Sequence, residues 1–129
     1  MDRIDLHLNV PSVDVNKLMV DQGKNIAEKS EKIRERVMAA RNIQKERFKK
    51  CSGVYCNADM KNKELKEFAK LEDKANLLLK QAVNKFSLSA RTYFRLVKVA
   101  RTVADLAGSE NISELHVAEA LQYRIRAGD

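Results

Sequence analysis

Between Ser87 and Gly108 apolar side chains return every three or four positions: Tyr93, Leu96, Val97, Ala100, Val103, Ala104 and Ala107. That period draws one buried stripe along a helix. Ser89 is placed to cap its start, because a serine oxygen accepts from a first-turn N–H, and Gly108 to end it, because glycine tolerates the left-handed turn that follows a last residue. Arg91, Arg95, Lys98 and Arg101 recur at the same steps on another face. From spacing alone they read as the solvated side of the helix. The rest of the chain is organised around this element.

Residues 3–10, RIDLHLNV, alternate instead. Ile4, Leu6, Leu8 and Val10 point one way, and Arg3, Asp5, His7 and Asn9 the other, which is the period of a half-buried strand. Pro11, with no N–H for a ladder, stops it. No second strand follows, and a lone strand cannot satisfy its backbone. The expectation is therefore an orphan strand belonging to a sheet that lies elsewhere in a larger polypeptide. Ser12 to Asn25 is polar, with a short helical turn at Asp14–Met19. Ile26 to Phe48 carries dense mixed charge around a thin stripe of Ile33, Val37, Ala40, Ile43 or Gln44, and Phe48; it predicts a long helix capped near Asn25 or Ser30. Lys49 to Asn57 is a loop containing Gly53. A short helix follows over Lys61–Ala69, using Leu65, Phe68 and Ala69. Another spans Glu72–Phe86, with Ala75, Leu78, Leu79, Ala82, Val83 and Phe86 on one face, acids in its first turn and Lys85 in its last. Ser113 caps a final helix whose Leu115, Ala118, Leu121 and Ile125 face inward, ended by Gly128. The fold class is thus all-α: a helical bundle over residues 26–129, preceded by residues 1–25 as strand and linker.

Composition agrees. Aromatics are only 5% and charged residues 33%, which suits a helical core of Leu, Val, Ala and Ile and excludes a β-sandwich. A chain of 129 residues holds one modest core. The net charge of +7 permits contact with nucleic acid, nucleotide phosphates or acidic partners without choosing among them. No stretch is long and apolar enough to cross a bilayer, and the N-terminus has no signal-peptide core, so reduced cytoplasm is the expected compartment.

The chemistry is sparse. There is no glycine-rich loop ending in Gly-Lys-Ser/Thr to cradle phosphates, no apolar strand ending in Asp-Glu to hold magnesium, no serine nucleophile elbow and no HExxH. Cys51 and Cys56 lack the partner ligands zinc needs. His7 reads as a surface strand residue and His116 as a packing or capping residue. Arg91 differs in standing at the head of a helix, where exposed N–H groups already favour an anion and a guanidinium can bind a phosphate through two parallel bonds. Arg3 stands just before the strand. Together they suggest a chain that helps hold a nucleotide whose main binding loop lies elsewhere.

The segments DRIDLHLNVP, IRERVMAARNIQKERF, CNADM, LSARTYFRLVKVARTVADLAGSENI and HVAEALQYR resemble the C-terminal part of the magnesium-chelatase-like AAA+ ATPases of the bacterial competence-protein M type. The similarity runs over nearly the whole chain and is specific from Leu88 to Arg124. It implies that this is the helical lid plus the end of the core domain, the phosphate loop lying upstream. DRID is similar to the motif in which an arginine finger reaches a neighbouring subunit's γ-phosphate, which carries onto Arg3. The SARxYxRxxxVARTxADL pattern is similar to the lid helix that begins with the sensor 2 arginine, which carries onto Arg91. Arg95 and Arg101 match the pattern and are expected in packing or surface contacts. The family often has Ser-Pro after CNADM; Lys61 and Asn62 stand there instead, predicting a less sharply defined helix start.

The resemblance implies ATP and Mg as cofactors of the full-length protein, with none expected in this fragment alone. It implies partners in its own AAA+ core and a homo-oligomeric ring, a hexamer, with coupling to DNA processing and no membrane. Two other readings share the residues: a stand-alone helical nucleic-acid-binding module, in which the Ser87–Ser89 break resembles a helix-turn-helix, and the lid of a true magnesium chelatase.

Overall fold

Helices carry most of the residues described by the computed structural model, 6–8 and 29–124. In chain order they are α1 (Ser30–Arg47), a 3-10 turn (Asn57–Asp59), α2 (Asn62–Phe68), α3 (Asp73–Phe86), α4 (Ala90–Leu106) and α5 (Glu114–Arg124). The helix that organises the sequence also organises the packing. α4 touches α1, the 3-10 turn, α2 and α5, while α3 packs against α5. Leu96, Val97, Ala100 and Ala104 of α4 meet Val117, Ala120 and Leu121 of α5, and Ala75, Leu79 and Ala82 of α3 complete that side of the core. On the other side Phe48 stands edge-on to Phe68, ring centres 5.4 Å apart.

Both ends of α4 are built as expected. Ser89 Oγ accepts from the Thr92 N–H at 3.1 Å. Gly108, at φ +70°, turns the chain left-handed; its N–H donates to Asp105 O at 3.0 Å and the Ser109 N–H to Ala104 O at 2.8 Å, the paired bonds of a Schellman ending. The following loop is tied across to the segment before α3, where Glu72 N–H donates to Ile112 O and Ile112 N–H to Lys70 O, each at 2.9 Å.

Three expectations need correction. Of the strand expected at 3–10, only Leu6, His7 and Leu8 fall among the described residues, and they form no strand. The described residues include no strand for it to pair with, and the His7 N–H donates to Tyr123 O of α5 at 2.6 Å. Residues 3–5 and 9–10, the turn at Asp14–Met19 and the boundary at residue 25 lie outside the described residues. Second, α1 begins at Ser30 after Lys29, without a side-chain cap, so Ser30 is the first helical residue and not the cap; Asn25 is outside the described residues. Third, the inward face of α5 differs in part from the expected one: Leu121 is buried as expected and Ala118 is half-buried, but Leu115 points outward. Leu115 is 78% exposed, and Val117, Ala120 and Leu121 are buried. α5 is held between α3 and α4, and the line that faces both runs through Val117 and Ala120. Ile125 and Gly128 lie outside the described residues.

At the start of α2, Lys61 occupies the cap position with extended backbone. A lysine side chain has no acceptor, so only the reverse half of a capping box forms, with the Lys61 N–H donating to Glu64 Oε1 at 3.0 Å.

Candidate functional site

The cationic face read from the α4 spacing is not one surface. Arg91 is exposed, Arg95 and Lys98 are half-buried, and Arg101 is 1% exposed. Lys98 Nζ donates to Ala58 O at 3.2 Å and so closes the end of the 3-10 turn. A continuous basic stripe of the kind a duplex-reading helix presents is therefore absent from α4, because its last cation points into the protein.

Arg91 sits in the first turn of α4, directly before Thr92, which is 2% exposed. Thr92 is held from both sides, its N–H by Ser89 Oγ and its Oγ1 3.0 Å from the same oxygen. The backbone under Arg91 is thus fixed by a buried neighbour and a cap. Its guanidinium makes no hydrogen bond or ion pair among the described residues. This is a cation on a rigid base at the positive end of a helix macrodipole, an arrangement suited to an external anion. Arg3, the other sequence-predicted site residue, lies outside the described residues, so the two arginines are not brought together here.

A second charged constellation lies in the interior. Asp105, fully buried, accepts Arg47 through two parallel bonds, Nη1 to Oδ2 at 2.8 Å and Nη2 to Oδ1 at 2.6 Å. Arg101 Nη2 reaches the same Oδ1 at 3.1 Å from one helical turn away. Asn57 Nδ2 donates to Asp105 Oδ2 at 2.9 Å and to Thr102 Oγ1 at 3.0 Å, while its Oδ1 accepts from Arg47 Nη1 at 2.9 Å. Its own N–H is held by Gln44 Oε1 at 2.9 Å. Arg101 spends its other Nη donors on the carbonyls of Phe68, Ser109 and Glu110, at 3.3, 2.7 and 2.8 Å. Burial pulls its pKa below the ordinary arginine value, with Asp105 opposing that shift and Arg47 adding to it. Arg101 Nε is buried without a partner.

The work of this cluster is to fasten α1, the 3-10 turn, α4 and the loop after α4 to one another. The family resemblance leaves Arg101 to packing or surface contacts, and the structure shows packing; its spacing alone puts it on a solvated face, which its 1% exposure corrects. Sequence reasoning missed Arg47, Asn57 and Asp105. The available signal was an arginine and a carboxylate one turn apart, Arg101 and Asp105, inside an otherwise apolar helix.

Elsewhere the chemistry is modest. The two cysteines are free thiols, and Cys56 Sγ donates to Asp59 Oδ2 at 3.6 Å. His116 Nδ1 accepts from the Ser113 N–H at 2.9 Å and so acts as a capping residue at the head of α5. Among the described residues no group of three or more His, Cys, Asp or Glu side chains could hold a metal ion, and no helix is long and apolar enough to cross a membrane.

Comparison with known proteins gives a coherent picture. The family described as magnesium chelatase, subunit ChlI C-terminal, matches residues 27–124. Competence protein ComM of Haemophilus influenzae is 41% identical over 126 residues, which is 96% of this chain and 23% of that protein. The uncharacterized protein YifB of Escherichia coli is 36% identical over 127 residues, and that of Salmonella typhimurium 33% over 124, each again covering 96% of this chain and 23% of the relative. The chain thus spans about a quarter of the length of the curated relatives it matches.

Proposed function

Because this chain belongs to the magnesium chelatase ChlI C-terminal family, we propose that it is the nucleotide-sensing lid of a ring-forming AAA+ ATPase. Arg91 is the sensor 2 residue in this reading and closes on the γ-phosphate of ATP held by the core of the same polypeptide. Arg3 acts as the arginine finger toward the neighbouring subunit. The single observation that carries the reading is Arg91 itself, an exposed guanidinium without a partner among the described residues, on a helix start pinned by Ser89 and the buried Thr92.

The charge argument is simple. During phosphoryl transfer negative charge is spread over the equatorial oxygens, and a cation placed there stabilises the transition state; a finger arginine contributes about 10³–10⁵ in rate in related enzymes. In this reading both arginines work on a triphosphate that the phosphate loop of the core domain holds together with Mg²⁺. One relative of this chain is named a competence protein, and in this reading hydrolysis is coupled to DNA processing in the cytoplasm.

The test uses the full-length polypeptide. Arg91→Ala should reduce ATP turnover by at least about tenfold while ATP still binds, and Arg91→Lys should restore little, because a point charge does not replace the bidentate fork. Arg3→Ala subunits mixed with subunits disabled at the phosphate loop should recover activity, since each defect lies on a different side of a shared interface. Unchanged turnover in Arg91→Ala would reject the sensor role. Stimulation of turnover by a porphyrin substrate and not by DNA would move the assignment to a true chelatase.

A further inference from the structure

Among the described residues, only the second half of α1 is covered. Every residue from Lys29 to Ala39 is exposed, and the first buried position is Ala40. Yet the apolar line does not begin there. Ile33, Val37, Ala40 and Gln44 follow one another at steps of four, three and four, the spacing of a coiled-coil seam. The second half of this seam, Ala40 and Gln44, is buried where α1 meets α4 and the 3-10 turn. The first half, Ile33 and Val37, is 43% and 41% exposed. Beyond it Leu106, 46% exposed, and Tyr55, 80% exposed, stand with Val37 around one open groove. An isolated helix of such length is marginal in water, so its free half gains from cover.

The flanks of the seam say what kind of cover fits. The positions beside it carry Arg34 and Arg41 on one side and Lys29 and Arg36 on the other. The acids of α1, Glu31, Glu35 and Glu46, fall on the opposite face. A second copy of this chain would set these basic flanks against each other, and like charges along a seam disfavour pairing. A nucleic acid would use the cations and leave the apolar line between them unused.

We propose that the exposed half of α1 is the docking site for an acidic amphipathic helix of a partner protein, its apolar seam laid on Ile33, Val37 and Leu106 and its carboxylates beside Arg34 and Arg41. This extends outward a seam that the chain already buries, and it is independent of the role given to Arg91.

The experiment measures binding of the full chain to labelled peptides of about three heptads, with leucine along one seam and either glutamate or lysine on both flanks. The glutamate peptide is expected to bind and the lysine peptide not to. Ile33→Ser with Val37→Ser should weaken the glutamate peptide by at least about tenfold, the effect of losing anchors in a groove. Arg34→Glu with Arg41→Glu should reverse the preference. All four positions are exposed, and unchanged far-UV circular dichroism confirms that each variant folds. Equal binding of both peptides, no binding of either, or indifference to Ile33→Ser with Val37→Ser overturns the proposal. So does self-association that Val37→Ser abolishes, which would make a second copy the occupant. Duplex DNA that competes with the peptide and survives Ile33→Ser with Val37→Ser would overturn it in favour of a phosphate backbone.

Discussion

Arg47 and Arg101 bind the same oxygen. Each presents its Nη2 to Asp105 Oδ1, at 2.6 and 3.1 Å. One guanidinium ends α1 and the other sits in the middle of α4, so a single buried carboxylate joins two helices that are far apart in sequence. Two cations share one anion here, and the arrangement persists because the surplus donors go to Asn57 and to three backbone carbonyls. Removal of Asp105 leaves both guanidinium groups without their counter-charge. Asp105→Ala should cost about 3–5 kcal/mol, the range for breaking a buried pair from one side. Arg101→Met, which fills similar space but leaves three carbonyls unpaired, should cost less, about 1–3 kcal/mol. Urea denaturation of each variant reads this directly. A loss below about 1 kcal/mol for Asp105→Ala would show that the cluster is solvated in solution.

The end of α3 carries a local cost that one substitution removes. Ser87 adopts φ 51° and ψ 48°, left-handed helical space that a side chain disfavours by about 1–2 kcal/mol. The conformation is imposed because Leu88 N–H donates to Val83 O at 3.1 Å, which closes the helix and starts the turn into α4. Ser87→Gly should therefore stabilise the chain, by about 0.5–1 kcal/mol once the added freedom of the unfolded glycine is subtracted. The check is a higher thermal midpoint. A lower one would mean that the Ser87 side chain makes a contact worth more than the strain.

The helices were legible because their signals are local. α4 could be read from a stripe, a serine and a glycine, and both of its ends formed as those residues dictate. The faces were harder. A helix touched on one side has one apolar line, but α5 lies between α3 and α4, and its sequence spreads apolar residues around the axis. Spacing alone puts Leu115 inward, and it lies outward. The buried cluster was hidden for a different reason. Arg47, Asn57 and Asp105 are each ordinary polar residues in sequence, and only tertiary packing brings them together. Arg91 stands out in the sequence at the head of α4, whereas the sensor role proposed for it comes from the resemblance, which no periodicity supplies.

Asp59 ties pH to stability at the loop that leads into α2. Its Oδ2 accepts from the Tyr55 N–H at 3.1 Å and from Cys56 Sγ at 3.6 Å. The backbone bond from Tyr55 is the largest influence and holds the carboxyl below its ordinary value in the folded chain. A carboxyl lowered on folding stabilises the native state above its unfolded pKa, and that contribution is lost as pH falls through the lower, folded value. The urea midpoint of the wild type should therefore fall more steeply than that of Asp59→Asn as pH drops below about 4. Parallel profiles for the two proteins would show that the Tyr55 and Cys56 contacts do not persist in solution.

Lys61 leaves an improvement open at the start of α2. The helix is seven residues long, too short to rely on its own propagation, so its first turn matters. Glu64 already accepts the Lys61 N–H, which is half of a capping box. The other half needs an acceptor on the residue at position 61, where the backbone at φ −100° and ψ 179° already has the extended shape of a cap. Lys61→Ser supplies a hydroxyl oxygen for the Glu64 N–H without disturbing the existing bond. The expected gain is about 0.5–1 kcal/mol, read as a higher urea midpoint. Glu64→Ala in the Lys61→Ser background should then remove more stability than Glu64→Ala in the wild type, because the two halves of the box support each other. Equal losses in both backgrounds would mean that the introduced hydroxyl faces solvent.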